Sequence, residues 1–484
     1  IDRALHEHGN PEGATREEPG SWQWWHEYPI TAQRMAVVQL WRDGGLWWAT
    51  AKGAPEAVAA LCRLDAHAWQ AVQPMLHDLA ARGLRVLAVA QAGDPCGASN
   101  ARPSDALITP PVDPVDLSLQ WLGLVAFADP LRDDVPQAVQ ACAQAGIRVV
   151  MITGDHPATA QAIAQQAGID GASATMTGTE LDRLDDAALA RRIDAVRVFA
   201  RVVPQQKLRI VQALKARGAV VAMTGDGVND APALKAAHIG VAMGARGSDV
   251  AREAASLVLL DDAFGSIVEA VRQGRRIRAN LRRAVVFIVA VHVPLAGLSV
   301  LPVFTPGSPL WLLPVHVALL ELIIDPTCAL VFEAEPAEPS VMREPPPGAN
   351  ASLFTPGTVV MALLQGLSVL GACVLVQRLA ADVHTVDAVR GLTLATLIVG
   401  VLTLIVANRS QRGVADAWRW HRNPALWMVL AGTLTVLAIM LGVPGLAPLF
   451  RVAPLHPGDL VLSLAAGVLC LLWVWPLRWL QRRA

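Results

Sequence analysis

Val221-Ala222-Met223-Thr224-Gly225-Asp226-Gly227-Val228-Asn229-Asp230-Ala231-Pro232-Ala233-Leu234 is the stretch from which the rest of the chain can be read. A short apolar run rises into a Thr-Gly-Asp-Gly turn, two acids and an amide fall within five positions, and a helical pattern follows. That order describes a buried strand, a tight loop presenting Asp226, Asn229 and Asp230 at one spot, and a helix. Hard oxygen donors packed so closely suit Mg²⁺ bound beside a phosphate. The glycines let backbone approach phosphate oxygens. A single TGD or GDG match is often only an acidic strand-to-helix turn, so the neighbouring segments decide.

At 484 residues the chain is long enough for two or three domains. It is 53% hydrophobic with a mean hydropathy of +0.40, unevenly spread: the first half reads as soluble α/β and the second as membrane. A net charge of −1 gives no bulk attraction to nucleic acid. The six cysteines include no CxxC pair, which argues against a disulfide framework, a zinc site or a soft-metal trap. Ile1 starts mid-pattern without a signal peptide, so a portion of a longer protein is expected.

Taken whole, the opening stretch resembles the P-type ATPases, cation pumps built around a haloacid-dehalogenase-type phosphorylation domain; the six apolar stretches near the C-terminus resemble the calcium-pump-like type of that family, not the two helices of its heavy-metal pumps. Three earlier segments resemble that family's nucleotide-binding domain. Glu27-Tyr28-Pro29 through Arg34-Met35-Ala36-Val37 resembles a strand whose aromatic stacks on adenine, with Tyr28 in that place. Lys52-Gly53-Ala54-Pro55-Glu56 matches the KGAPE motif, which implies Lys52 and Gly53 in the adenosine pocket. Gly83 to Ala90 resembles the strand whose arginine, here Arg85, reaches the nucleotide phosphates; a fixed cation suits a polyanion. The tryptophans crowded from Trp22 to Trp48 are expected to fill a sheet core.

From about Gln120 to Asp262 strand, loop and helix alternate, the mark of a parallel sheet with helices on its faces. Arg148 to Ile152 reads as a strand, Thr153-Gly154-Asp155-His156 as the loop at its carboxyl end, and Pro157 as a helix start. Such a strand tip is where these sheets bind ligands. Asp155 as a plain helix N-cap fits one such loop, and two TGD loops less well. The resemblance implies Thr153 and Gly154 on the transferred phosphoryl oxygens and Asp155 toward the nucleotide. Ala200-Arg201-Val202-Val203-Pro204-Gln205-Gln206-Lys207 resembles the ARV-P-x-x-K element, with Lys207 neutralising the phosphoryl group and Arg201 beside the nucleotide. It also implies Asp226 as the direct Mg²⁺ ligand, with Asn229 and Asp230 fixing the loop and the metal's surroundings. The family's nucleophilic aspartate, in a DKTGT motif, occurs nowhere in these residues. Its place, with the actuator domain and first membrane helices, is expected upstream of Ile1. This chain alone is expected to bind ATP and Mg²⁺ but not to form the aspartyl-phosphate.

A basic run, Gly274 to Arg283, reads as a cytoplasmic anchor before six apolar stretches at about 284–304, 309–331, 357–378, 388–407, 424–442 and 459–479. Each is near the roughly 20 residues a spanning helix needs. Charge in the loops places the soluble domains and the C-terminus, with Arg482 and Arg483, on the cytoplasmic side of a cell (plasma or inner) membrane. Glu321 and Asp325 lie one turn apart in the second stretch, on one helix face. Intramembrane carboxylates are functional by default. Pro326 would free the Leu322 carbonyl, and Pro294, two residues past His292, that of Ala290. The resemblance implies Glu321, Asp325 and His292 as ligands of the transported cation, with Ca²⁺ or Mn²⁺ favoured and a proton or monovalent ion open. A soft metal is disfavoured, since Cys328 stands alone.

The expected architecture is a partial α+β nucleotide-binding domain over 1–119, an α/β haloacid-dehalogenase-like, Rossmann-like phosphorylation domain over 120–265, and an all-α six-helix transmembrane bundle over 266–484. The expected function is the C-terminal part of an ATP-driven pump whose partners are the bilayer and the cation, not nucleic acid. Two alternatives stand beside it: a membrane-anchored phosphatase of the same fold, which gives KGAPE, Tyr28 and Arg85 no role, and a non-catalytic nucleotide-binding remnant.

Overall fold

The computed structural model describes residues 23–31, 34–43, 46–93, 109–128, 130–346, 352–409, 423–443 and 445–481. Trp22, Arg482 and Arg483 lie outside them. Internal contacts divide the chain into two units, Ile1–Val268 and Glu269–Ala484.

The first unit opens with an antiparallel meander. β1 (Gln23–Tyr28), β2 (Ala36–Asp43), β3 (Leu46–Gly53), β4 (Arg85–Ala92) and β5 (Gln120–Phe127) pair in chain order. Period-two alternation buries Ala36, Val38 and Leu40 of β2 with Val86, Ala88 and Ala90 of β4 on one face. Lys52, between Val37 and Val89 in the register, stands on the other. α1 (Pro55–Leu61) starts with proline in its first turn. α2 (Ala66–Ala81) is capped by Asp65, whose carboxylate accepts from the Ala68 N–H at 2.7 Å. The sequence alternation groups Gln120–Phe127 with the parallel sheet. In the structure it is the edge strand of the meander, with Arg85 opposite Phe127. An apolar run specifies a strand but not its partner.

The rest of this unit is α/β, with parallel strands as the sequence pattern predicts. β6 (Met151–Ile152), β7 (Thr175–Thr177) and β8 (Val198–Ala200) form a parallel sheet in the order β6-β8-β7. β9 (Ala222–Gly225), β10 (Ile239–Met243) and β11 (Leu257–Leu259) form another in the order β11-β10-β9. Between them run α3 (Val135–Gln144), α4 (Pro157–Gln166), α5 (Gly178–Asp182), α6 (Asp186–Arg192), α7 (Pro204–Ala216), α8 (Ala231–Ala236) and α9 (Asp249–Ala254). Local chemistry sets their starts: Thr177 and Glu180 close a capping box on α5, and prolines open α4 and α7. Each parallel sheet ends in one TGD loop.

The second unit is helical. α10 (Phe264–Phe304), α11 (Pro314–Pro326) with the π-helical turn Thr327–Phe332, α12 (Pro356–Ala380), α13 (Val386–Arg409), α14 (Pro424–Gly442), and α15 (Pro457–Leu469) with α16 (Val474–Gln481) follow in order. Among the described residues they supply six helices long and apolar enough to cross a membrane. α13 is buried on nearly every face, its polar side chains Arg390, Thr393, Thr396, Thr403, Asn408 and Arg409 included, the place expected for the central helix of a bundle. The basic run in α10 does more than present a charged face. Arg275 donates to the Val341 and Glu344 carbonyls at 2.9 and 2.8 Å, Arg282 to Thr358 Oγ1 at 2.9 Å, and Arg283 pairs with Glu338. Arg275 and Arg283 thus grip the segment that follows α11, and Arg282 the start of α12.

That segment holds a buried polar cluster. Arg409 Nε and Asn423 Nδ2 each donate to Glu335 Oε2 at 2.8 Å, and Asn280 Nδ2 donates to the Glu335 carbonyl at 2.8 Å. Breaking a buried pair from one side costs more than the pair contributes, because the other charge stays desolvated. Glu335→Ala is therefore expected to destabilise the bundle by about 3–5 kcal/mol, read as a lower unfolding midpoint in detergent. Exposed Glu269→Ala, the control, is expected to change it by less than about 0.5 kcal/mol.

Candidate active site

Four separated segments of the first unit meet at one cleft of about 260 Å³. The end of β3 supplies Lys52 and Gly53, the start of β4 supplies Arg85, the loop after β6 supplies Gly154, Asp155 and His156, and the turn after β8 supplies Arg201. Arg85 Nε lies 3.3 Å from Asp155 Oδ1, and Arg201 Nη2 lies 2.6 Å from Glu56 Oε1. The first TGD loop is fixed from within: Thr153 Oγ1 donates to Asp155 Oδ2 at 3.0 Å and accepts from the Asp155 N–H at 3.1 Å. Burial, with the nearby Arg201 charge, pushes the His156 imidazole below its ordinary pKa, so near neutrality it is uncharged.

This cleft fits a polyphosphate. Three cationic side chains line it, the Arg201 Nε is buried without a hydrogen-bond partner among the described residues, and a Cβ built on Gly154 would meet only the Val202 carbonyl at 3.9 Å. An open glycine backbone among fixed guanidinium groups is what phosphate oxygens require.

Tyr28 stands elsewhere. It is 6% exposed in the sheet core, its hydroxyl donates to the Pro111 carbonyl, and Ile30 lines the cleft instead. The cause is the parity of β1. A bulge between Trp24 and His26 shifts the register, so facing cannot be counted from the tryptophan-rich start. Glu56, by contrast, draws no attention in the sequence except as the last letter of a motif; its partner Arg201 is far along the chain.

The second TGD loop ends β9. A Cβ on Gly225 would stand 2.6 Å from the Asp230 Cβ, so only glycine allows the turn to fold onto that residue. Asp230 is 7% exposed; its Oδ1 accepts from Lys207 Nζ at 2.6 Å and its Oδ2 from the Gly227 N–H at 3.4 Å. Asp226 and Asn229 are exposed at the tip, and the Asp226 carbonyl accepts from the Ser248 N–H at 2.8 Å. Lys207 is thus an anchored lysine. Its helix starts just past Arg201 and Val202, whose N–H groups donate to the Asp155 and Thr153 carbonyls at 3.1 Å each. Among the described residues no group of three or more His, Cys, Asp or Glu is arranged to hold a metal. Mg²⁺ takes one or two carboxylates and completes its shell with phosphate and water. Exposed Asp226 fits that need, with Asp230 occupied in holding the loop.

In the second unit His292 Nε2 lies 3.8 Å from Glu321 Oε1, joining α10 to α11. His292 Nδ1 lies 2.8 Å from the Ile288 carbonyl, which only accepts, so Nδ1 carries the hydrogen. Asp325, one turn beyond Glu321, is exposed and does not complete a three-donor group with them. Thr327 Oγ1 donates to the Ile323 carbonyl at 2.7 Å just past Pro326.

Residues 100–238 match the haloacid dehalogenase-like hydrolase family, and residues 309–480 match the family described as cation transporting ATPase, C-terminus. The chain is 44% identical over 274 residues to calcium-transporting ATPase 1 of Bacillus cereus, covering 56% of this chain and 30% of that protein. It is 40% identical over 349 residues to probable cation-transporting ATPase F of Mycobacterium tuberculosis, covering 69% and 38%. Over 464 residues it is 34% identical to a calcium-transporting ATPase of Bacillus subtilis, covering 91% and 50%. The chain thus spans half or less of the length of these relatives.

Proposed function

The chain belongs to the cation-transporting P-type ATPases, and on that premise we propose that it carries the nucleotide-handling and cation-handling parts of an ATP-driven pump. The observation that carries the reading is the cleft that gathers Lys52, Arg85, Gly154, Asp155 and Arg201 from four segments. In this reading the ATP phosphates lie among Arg85, Arg201 and the first TGD loop, and the adenosine lies toward Lys52 and Gly53. Thr153 and Gly154 hold the transferred phosphoryl group, and Lys207 offsets its charge from its anchor on Asp230. Mg²⁺ on Asp226, with Asn229 beside it, would neutralise the developing negative charge and orient the phosphate. The acceptor is an aspartate of a DKTGT motif, which these 484 residues do not contain.

The chain is a multi-pass membrane protein. We assign its soluble unit and the α10 basic run to the cytoplasmic side. The cargo reading is a divalent cation, Ca²⁺ or Mn²⁺, bound through Glu321 with His292 and Asp325. Transport then follows from differential binding: phosphorylation favours one arrangement of the protein and the cation another. Glu321→Gln in the full-length pump is expected to abolish ion-stimulated ATP hydrolysis while ATP affinity stays at the wild-type value. Retained ion stimulation would move the cation site elsewhere.

A further inference from the structure

Nothing in the nucleotide chemistry above requires Glu56. It lies in the first turn of α1, on the antiparallel-sheet side of the cleft, and an acid there is already favoured by the helix dipole. Its carboxylate, however, reaches across to Arg201 at 2.6 Å, a guanidinium only 21% exposed. The Arg201 backbone sits at φ +54°, a left-handed conformation uncommon for a residue other than glycine. Its N–H donates to the Asp155 carbonyl at 3.1 Å, and its Nη1 approaches the Gly154 carbonyl at 3.5 Å. Its Nε is the buried donor left without a partner among the described residues. One carboxylate therefore fixes a strained arginine that is itself bound to the first TGD loop.

We propose that Glu56 is a positioning residue that acts through Arg201, holding its guanidinium and the Thr153–Asp155 loop in the arrangement that receives nucleotide phosphates. The proposal rests on the nucleotide reading of the cleft. An Arg201 freed from Glu56 can turn to solvent, and each ATP that binds must then order it again.

The test is ATP binding by calorimetry to the full-length protein in four forms: wild type, Glu56→Ala, Arg201→Ala and the double variant. Glu56→Ala is expected to weaken ATP binding about 10-fold, the scale of one lost charge-assisted hydrogen bond. Arg201→Ala is expected to weaken it at least as much, and the double variant no further. Glu56→Asp, which returns the carboxylate, is expected to recover most of the loss. Two outcomes overturn the proposal while leaving the nucleotide reading intact: wild-type affinity in Glu56→Ala, or an equal loss from Glu56→Ala with and without Arg201. The second would mean that Glu56 acts through α1 alone. If Glu56→Ala fails to fold, Glu56→Gln, which keeps the shape without the charge, replaces it in the same comparison. Absence of ATP binding to the wild type would instead overturn the nucleotide reading itself.

Discussion

On the proposed function, Asp226→Asn in the full-length protein is expected to lower Mg²⁺-dependent phosphoenzyme formation by about 10²- to 10³-fold, the scale of losing a charge contact made in the transition state. The substitution is nearly isosteric. The Asp226 side chain is exposed, and the backbone bond from the Ser248 N–H to its carbonyl does not depend on the carboxylate. The loop should therefore keep its shape and lose only the anionic oxygen that a hard cation prefers. Two measurements separate the effects: transfer of labelled γ-phosphate onto the protein, and ATP affinity without metal. The first should collapse and the second should not change. Phosphoenzyme at the wild-type level would remove Asp226 from the metal site.

Lys207→Met should combine two losses that can be separated. Methionine keeps the length of the side-chain stem but leaves Asp230, 7% exposed, with the Gly227 N–H as its only hydrogen-bond donor among the described residues. A buried carboxylate deprived of its cation is expected to cost about 3 kcal/mol, somewhat less where water reaches it. Phosphoryl transfer should fall on the order of 10²-fold or more, because Lys207 is the cation assigned to the transferred group. Adding Asp230→Asn removes the uncompensated charge. The double variant should regain most of the thermal stability and none of the activity. If activity returns with stability, Lys207 serves the fold alone.

Much of this molecule is written locally. The strand, glycine turn and helix of 221–234 are legible because burial, backbone freedom and helix initiation each leave a mark within a few residues. The Thr153-Gly154-Asp155 loop is legible for the same reason, helped by Pro157. Apolar length alone marks the six membrane helices, and the polar exceptions His292 and Glu321 stand out against them; their 3.8 Å approach joins two consecutive helices.

What the sequence leaves open is which faces and which distant residues meet. Tyr28 is an aromatic in a strand by any reading, yet the bulge before it decides that its ring goes into the core. The run Gln120–Phe127 is a strand by any reading, yet only tertiary pairing makes it an edge of the antiparallel meander. The ion pairs Glu56–Arg201 and Arg85–Asp155, and the sharing of Glu335 by Arg409 and Asn423, join residues that no local pattern relates. A charge on a long side chain is compatible with solvent or with many partners, and burial picks one. The sequence by itself determined the strands, the glycines and acids of the two TGD loops, and the long apolar helices, because their causes are local. Only the tertiary structure decided which carboxylates hold the cleft's cations and which strand faces line it, because those energies exist only once distant segments have excluded water together.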